Sequence, residues 1–481
     1  MFEIFAGLSH AHFVGIGGAG MSGIAEVLLG YDLEVSGCDR ARSETVERLE
    51  SLGVRVFHGH SPDHLEGVDL VVKSSAVPDD APEIAAARER GITVVRRAEM
   101  LGELMRLKYG IAIAGTHGKT TTTSLVGTLL TDAGLDPTVI VGGRMRVSGT
   151  GARVGKSEYL VAEADEFDRS FLRLMPVLAV VTNVDVDHLD TYEDLDAITE
   201  AFVDFATRVP FFGQVILCLD DENNQRLLPR VKEGHRVVTY GLSPQADLVA
   251  TRVEPDGGGC RFLVTYDGEE LGTVTSPLPG RHNVCNALAA VAVGRAVGLD
   301  FEQIAASLAG FGGVHRRFER KGTFHGAAVV DDYAHHPTEV AATLEAARQA
   351  FPGGRVVAVF QPHLFSRTRD HADDFGRALL AADEAVVTAI YPSREKPIRG
   401  VSAGLVVDAA RRSGHRRVEL CDDWSQEGVA RLRAKAEAGH LGEGDVVLTM
   451  GAGDIYRLGE CLTHDAAGTV RDRLSSAGGV A

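Results

Sequence analysis

The chain has 481 residues, too many for one ordinary hydrophobic core, so roughly two to four domains are expected. Its 44% hydrophobic and 24% charged fractions are those of a soluble globular protein, and a formal net charge of −18 argues against nucleic acid as the main partner. No run approaches the roughly 18 apolar residues of a membrane span, and no basic region leads an apolar run at the N-terminus, so no membrane insertion and a cytoplasmic location are expected. Cys38, Cys218, Cys260, Cys285, Cys421 and Cys461 show no regular spacing and read as reduced thiols, not as a metal site or disulfide framework.

In chain order, His12 to Ile16 reads as a strand, Gly17-Gly18-Ala19-Gly20 as a turn and Met21 to Leu29 as a helix. Leu33 to Gly37 and Leu70 to Val72 are further strands, giving a doubly wound α/β pattern. Gly15-x-Gly17-x-x-Gly20, with Asp39 at the end of the second strand, is by itself a dinucleotide fingerprint and allows a nicotinamide- or flavin-dependent oxidoreductase. The same turn can hold any nucleoside diphosphate.

A new unit begins near Lys108. The apolar run Ile111 to Ala114 leads into Gly115-Thr116-His117-Gly118-Lys119-Thr120, and a helix follows from Thr121. Glycines let backbone amides close around an anion, the lysine adds charge, and the Thr120 hydroxyl suits magnesium. This points to a phosphate loop of an ATP-using enzyme, although Ile113 stands where the general pattern has its first glycine. A tight strand-to-helix turn with a merely solvated lysine is the bland alternative for the loop, and a non-catalytic nucleotide-sensing protein is the bland alternative for the chain.

Glu163 ends the strand from Tyr159, with Asp165, Glu166 and Asp168 behind it, and a carboxylate at a strand tip beside a phosphate loop is a place for magnesium. After the strand Val177 to Thr182 comes Asn183-x-Asp185-x-Asp187-His188-x-Asp190, where a histidine among carboxylates can ligate a metal or act as a base. Val215 to Leu219 is another buried strand, and Val237 to Thr275 reads as an antiparallel extension. Arg281-His282-Asn283-x-x-Asn286 opens a long helix to Ala296. Its two amides fall on one face, suited to adenine edges or, for Asn283, to capping. Arg316-Arg317 closes the unit and suits a γ-phosphate or a carboxylate.

A third α/β unit starts near Glu319, with strands at Ala327 to Val330, Arg355 to Phe360, Glu384 to Thr388 and Val446 to Met450. Asp331-Asp332-Tyr333-Ala334-His335-His336-Pro337 and Gln361-Pro362-His363-x-x-Ser366-Arg367-Thr368-Arg369 follow strands, where a site should form, and the arginines suit a carboxylate. The last dozen residues are Ser/Gly/Ala-rich and expected to fray.

Taken together and in this order, these motifs resemble the Mur ligases, the ATP-dependent amide-forming enzymes of peptidoglycan synthesis, over residues of about 10 to 457. His12 to Ala25, Arg96-Arg97-Ala98-Glu99-Met100-Leu101, Asp331 to Pro337 and Phe360 to His363 resemble the alanine-adding branch. The resemblance implies three α/β domains: a Rossmann-like domain for the UDP substrate (1–107), a P-loop ATPase-like centre (108–318) and a Rossmann-like amino-acid domain (319–481). It implies UDP-N-acetylmuramate at Gly17, Gly18, Ala19, Gly20, Met21, Ser22, Asp39 and Ser75, with Glu166, His336, His363 and Arg367 also on the substrate side and His335 near L-alanine. ATP is implied at Gly115, Thr116, His117, Gly118, Lys119, Thr120, Thr121, Asn283, Asn286, Arg317 and Asp332 (or Asp331), and two magnesium ions at Thr120, Glu163 and His188. Lys119, Glu163, His188 and Arg317 are the implied catalytic groups, acting through an acyl phosphate that the amine of L-alanine attacks.

Two departures matter. Phe202 stands where other members carry a carbamylated lysine, as the alanine-adding branch also lacks it. Leu364 stands where some members have arginine, which shifts the amino-acid clamp toward Arg367. A salvage ligase that attaches whole muropeptides shares nearly every motif, and monomer or homodimer is equally open.

Overall fold

The computed structural model describes residues 7–142, 151–167, 169–186, 192–393 and 395–465. The chain divides into two compact units: Met1–Val253 with Phe262–Ser276 and Val284–Val314, and His315–Ala481 with Glu254–Arg261 and Pro277–Asn283.

The first unit opens with a five-stranded sheet, in spatial order Arg55–His58, Glu34–Asp39, His10–Val14, Leu70–Lys73 and Thr93–Arg96, all parallel. His10–Val14 is buried along its whole length, as a parallel strand covered on both faces must be. Val14 lies opposite both Cys38 and Lys73, so the glycine turn, Asp39 and Ser74-Ser75 leave the sheet at one edge. The helix begins at Ala19, two residues before the expected Met21.

The next sheet has ten strands. Its parallel middle runs Val237–Gly241, Gln214–Cys218, Leu178–Val181, Tyr109–Ala114, Tyr159–Glu163 and Thr138–Ile140. Ile113 is opposite Glu163 and Ala114 opposite Val181, so the phosphate loop, Glu163 and Thr182-Asn183 emerge side by side. The expected antiparallel extension starts later than Val237: Val237–Gly241 pairs in parallel with Gln214–Cys218, and Leu248 in parallel with Tyr240. Only beyond Asp256 do two-residue turns force hairpins. Gly257-Gly258 and Asp267-Gly268 all have positive φ, from 48° to 87°, as tight hairpin turns require.

The first two sheets share one core. Met100, Leu101, Leu104 and Met105 of helix Arg97–Arg106 pack in the same cluster as Phe171, Leu174 and Phe205, which is why the two α/β stretches form one unit.

The second unit has a six-stranded sheet, in order Glu319–Phe324, Ala327–Asp332, Val446–Met450, Val356–Phe360, Glu384–Thr388 and Val418–Cys421. The first pair is antiparallel and the rest parallel. This unit begins at His315, earlier than the expected Glu319, because the Arg316 guanidinium donates to Asp331 at 2.9 Å and to the carbonyls of Gly451 and Gly453 at 2.5 and 2.9 Å.

Candidate active site

Strand Tyr109–Ala114 runs straight into the phosphate loop, and helix Lys119–Asp132 starts on its lysine. Gly115 has φ 133°, and a Cβ there would lie 1.9 Å from Thr182 Oγ1. Gly118 has φ 81°, and a Cβ there would lie 2.7 Å from Asn286 Oδ1. Both positions exclude a side chain by conformation and by space. The following strand holds the loop in shape. Thr116 N–H donates to the Asn183 carbonyl at 3.0 Å, His117 N–H to Asn183 Oδ1 at 2.8 Å, and Asn183 Nδ2 to the His117 carbonyl at 3.0 Å. Asp185 N–H donates to Thr116 Oγ1, and its carboxylate meets His117 Nε2 at 3.1 Å. The Asn183–Asp185 stretch, met in the sequence as part of an acidic cluster, is thus a brace for the loop.

Lys119 Nζ donates to the carbonyls of Gly115 and Thr116 at 2.6 and 3.1 Å and to both Glu166 oxygens at 2.9 and 2.7 Å. Burial opposes the charge on Lys119, but Glu166, Asp165 and Glu163 outweigh it and raise its pKa. Burial pushes the Glu166 carboxyl up, to about 7, against the pull of Lys119. Glu166, expected beside substrate, is therefore the counter-ion of the phosphate-loop lysine. Thr120 Oγ1 donates to Glu163 at 3.0 and 3.1 Å, and Gly142 N–H donates to the same carboxylate at 2.7 Å. These are hard oxygen donors at the N-terminus of helix Lys119–Asp132, a set that fits magnesium with a polyphosphate. Thr121 is buried in the first helical turn. Asn286 accepts from Thr122 Oγ1 at 3.1 Å, so its amide is committed next to Gly118.

His188, Asp168, Asp187 and Asp190 lie outside the described residues. Phe202 is fully buried, 5.1 Å from the ring of Phe171, in an apolar setting that would reject a lysine.

At the first sheet, Gly15 and Ile16 donate their N–H groups to the Cys38 carbonyl, and Gly17 N–H donates to Asp39 Oδ2 at 2.9 Å. Asp39 also accepts from Ala41 N–H, so it shapes the turn in place of reaching outward as a ribose acceptor would. Gly18 caps helix Ala19–Leu29 with its carbonyl, which accepts from Met21 and Ser22 N–H; the Met21 side chain is in the core and Ser22 is buried. The Arg97 side chain packs against Gly20, where a Cβ would lie 2.9 Å from Nη1. The sequence singled out Arg96-Arg97 as a motif but not Arg97 as a ligand group; its closeness to Gly20 crosses more than seventy residues and has no local signal. Arg97 and Ser75 line a cavity of about 930 Å³ together with Lys73, Arg169, Arg173 and Arg208. Asp79, Glu99 and Glu103 also line it, and Asp79 pairs with Lys73 at 2.9 Å, but cations outnumber carboxylates, which suits an anionic ligand.

In the second unit, Asp331 and Asp332 end one strand. Asp331 is consumed by Arg316 and by Thr449 Oγ1 at 2.7 Å. Asp332 accepts from the N–H groups of Phe318 and Ala334 at 2.7 and 2.8 Å, and burial raises its carboxyl to about 6 despite Arg317. The Arg317 guanidinium lies 5.1 Å from the ring of Tyr333. Asn283 Nδ2 donates to the Pro279 carbonyl at 2.7 Å. His363 stacks on Tyr391 at 5.9 Å and meets His335 edge-on at 5.8 Å, and Arg367 follows in helix Phe365–Asp370. His336 caps helix Pro337–Ala350, its N–H held by Glu339. Leu364 takes φ 69°, an unusual conformation for a branched side chain, at the start of the arginine helix.

Models of three families match the chain: the Mur ligase family catalytic domain over residues 10–109, the Mur ligase middle domain over 113–294 and the Mur ligase glutamate ligase domain over 316–453. UDP-N-acetylmuramate–L-alanine ligase of Geobacter sp. (strain M21) is 50% identical over 95% of this chain and 98% of its own. The enzyme of that name from Syntrophotalea carbinolica is 52% identical over 94% and 97%. Among solved structures, the UDP-N-acetylmuramate-alanine ligase of Thermotoga maritima superposes with a TM-score of 0.78 at 29% identity, over 95% of this chain and 99% of that one. With all three domain models matched in order and relatives of this identity along nearly the whole length, the chain belongs to the Mur ligase family.

Proposed function

We propose that this chain joins L-alanine to the lactyl carboxylate of UDP-N-acetylmuramate with hydrolysis of ATP to ADP and phosphate, a step in making peptidoglycan precursors. The observation that carries the reading is Lys119 paired with Glu166 next to Thr120 bonded to Glu163 at one sheet edge, in a unit that also holds a cavity lined mostly by cations, whose Arg97 packs against Gly20. The high identity to relatives named as alanine ligases supports the choice of amino acid.

Lys119 and the loop amides bind the β- and γ-phosphates, and binding takes the ammonium from the Gly115 and Thr116 carbonyls. Glu166 keeps that ammonium charged and aimed. Thr120 and Glu163 hold magnesium, which when bound neutralises the charge on the transferred phosphoryl group. A second ion, shared by Glu163 and His188, completes the reading. The cationic cavity holds the uridine diphosphate and orients the carboxylate, which attacks the γ-phosphorus and becomes an acyl phosphate. The alanine amine then attacks the carbonyl carbon, and phosphate leaves. Arg317 reaches the phosphates and Arg367 the alanine carboxylate; His335, His336 and His363 surround the amino acid. Among the described residues no helix is long and apolar enough to cross a membrane. The need for ATP and a nucleotide-linked substrate places the reaction in the cytoplasm.

The test offers purified protein UDP-N-acetylmuramate, ATP and magnesium with L-alanine, glycine, L-serine or an L-Ala-γ-D-Glu-containing tripeptide, and reads phosphate release. Release with L-alanine above the others is expected. Release with the tripeptide alone would overturn the reading in favour of muropeptide salvage, an activity of the murein peptide ligase type found among structural neighbours.

A further inference from the structure

Helix Pro82–Glu89 drives a carboxylate beneath the first sheet: Glu83 is 0% exposed. Four side chains from other parts of the chain converge on it. His12 Nε2 lies 3.2 Å and His64 Nδ1 3.0 Å from Oε1; Cys38 Sγ lies 3.1 Å and His60 Nδ1 3.4 Å from Oε2. The ligand atoms of His12, Cys38, His64 and Glu83 all lie within 4.8 Å of one another. Amide formation, as read above, uses none of them. Their positions, scattered over seventy residues, are why cysteine spacing alone gave no hint of a metal site.

His12 turns Nε2 toward this cluster, and with a neutral His10 a hydrogen-bond relay leaves that nitrogen without a proton. His10 Nδ1 is 3.2 Å from the Gly67 carbonyl, which only accepts, so Nδ1 carries the proton and Nε2 of the neutral ring is bare. The Ser36 hydroxyl, 2.7 Å away, donates to that Nε2. Ser36 Oγ, its one proton spent, accepts from His12 Nδ1–H at 2.8 Å. His12 is left with a bare Nε2 facing a carboxylate oxygen. Two lone pairs at 3.2 Å repel unless a cation, or a proton on the carboxyl, lies between them. An imidazole donating its outer N–H into a relay that ends on a backbone carbonyl is the arrangement that orients a metal-ligating histidine.

We propose that His12, Cys38, His64 and Glu83 form a structural zinc site, with His60 as a neighbouring donor. Two imidazoles, a thiolate and a carboxylate match the preference of zinc for tetrahedral N/S/O ligands. Zinc with one thiolate and one carboxylate sums to zero charge, which suits a buried layer. On binding, the Cys38 thiol gives its proton to solvent as the Zn–S bond forms. The partly exposed side chains of His60 and His64 provide the way in. The site buttresses the substrate loop, because the Cys38 carbonyl holds Gly15 and Ile16 and the next residue, Asp39, holds Gly17.

The experiment strips the full-length protein with chelator and returns zinc or cobalt in excess magnesium. Metal content, melting temperature and cobalt absorption are then read. About one zinc per chain, a raised melting temperature and a thiolate-to-cobalt charge-transfer band are expected. Cys38→Ser and His64→Gln should each lower zinc affinity at least about tenfold and Cys38→Ser should abolish the band. A Cys218→Ser/Cys285→Ser control, which removes the other cysteine-containing group, should change neither. Wild-type protein retaining less than about 0.1 equivalent of zinc, or lacking the cobalt band, would overturn the proposal, as would full retention in Cys38→Ser. The wild-type spectrum decides the matter even if a variant fails to fold.

Discussion

Lys119 and Glu166 are each other's counter-ion in a buried setting, so replacing either alone isolates a charge. Lys119→Met should cut phosphate release at least about 100-fold, the scale of losing one preorganised charge. Its stability should fall with rising pH: an unpaired, buried Glu166 holds its proton in the folded state well above the unfolded carboxylate range, and rising pH then favours unfolding. The double variant Lys119→Met/Glu166→Gln should regain stability and lose that slope while staying inactive, as thermal melts and phosphate assays would reveal. Asp332 follows the same sign. Its folded carboxyl titrates at about 6 against an ordinary value of 3.8, so its contribution to stability is full at acid pH and declines as pH rises through that window. The decline is about 3 kcal/mol at most. Asp332→Asn should therefore flatten the loss of melting temperature between about pH 4 and pH 7, although it also forfeits one of two backbone acceptors. The placement of these residues was legible from type and position: Thr120, next to Lys119 on the loop, meets Glu163 at the tip of the neighbouring strand. Their partners were not. Lys119 with Glu166, and Arg97 with Gly20, are made by folding across many residues, and no local pattern encodes them.

The strand–loop–helix element at Tyr109–Asp132 is rigid for reasons that single out one glycine. Gly115→Ala places a methyl against Thr182 Oγ1 and the Asn183 backbone in a left-handed conformation. Overpacking of that kind costs about 1–3 kcal/mol before strain is added, and ATP affinity should drop more than tenfold. Gly134→Ala, also at positive φ (78°) but with nothing within 4 Å, should cost about 1 kcal/mol and leave ATP affinity unchanged. Calorimetric ATP titration of the two variants separates the effects. The period of apolar residues revealed most buried strands to within a residue or two, since each is a short apolar run between turns. It misjudged Val237–Gly241, because a short glycine-flanked strand looks alike inside a parallel sheet and in a hairpin.

At the scale of the molecule, two compact units predict two calorimetric transitions. Gly115→Ala should move only the transition that ATP analogues raise, and Asp332→Asn only the other; a single transition that both variants shift equally would contradict this division. Strand order was the least legible level, for it depends on contacts that arise only when distant segments meet. Val446–Met450 shows the point. It is the last strand described, yet it sits between Ala327–Asp332 and Val356–Phe360. On a ribosome adding roughly 5–20 residues per second, both neighbours wait several seconds with open apolar edges before their common partner exists. The nascent second unit is thus a ready target for strand addition by other chains, and its protection during synthesis falls to chaperones or to speed of translation.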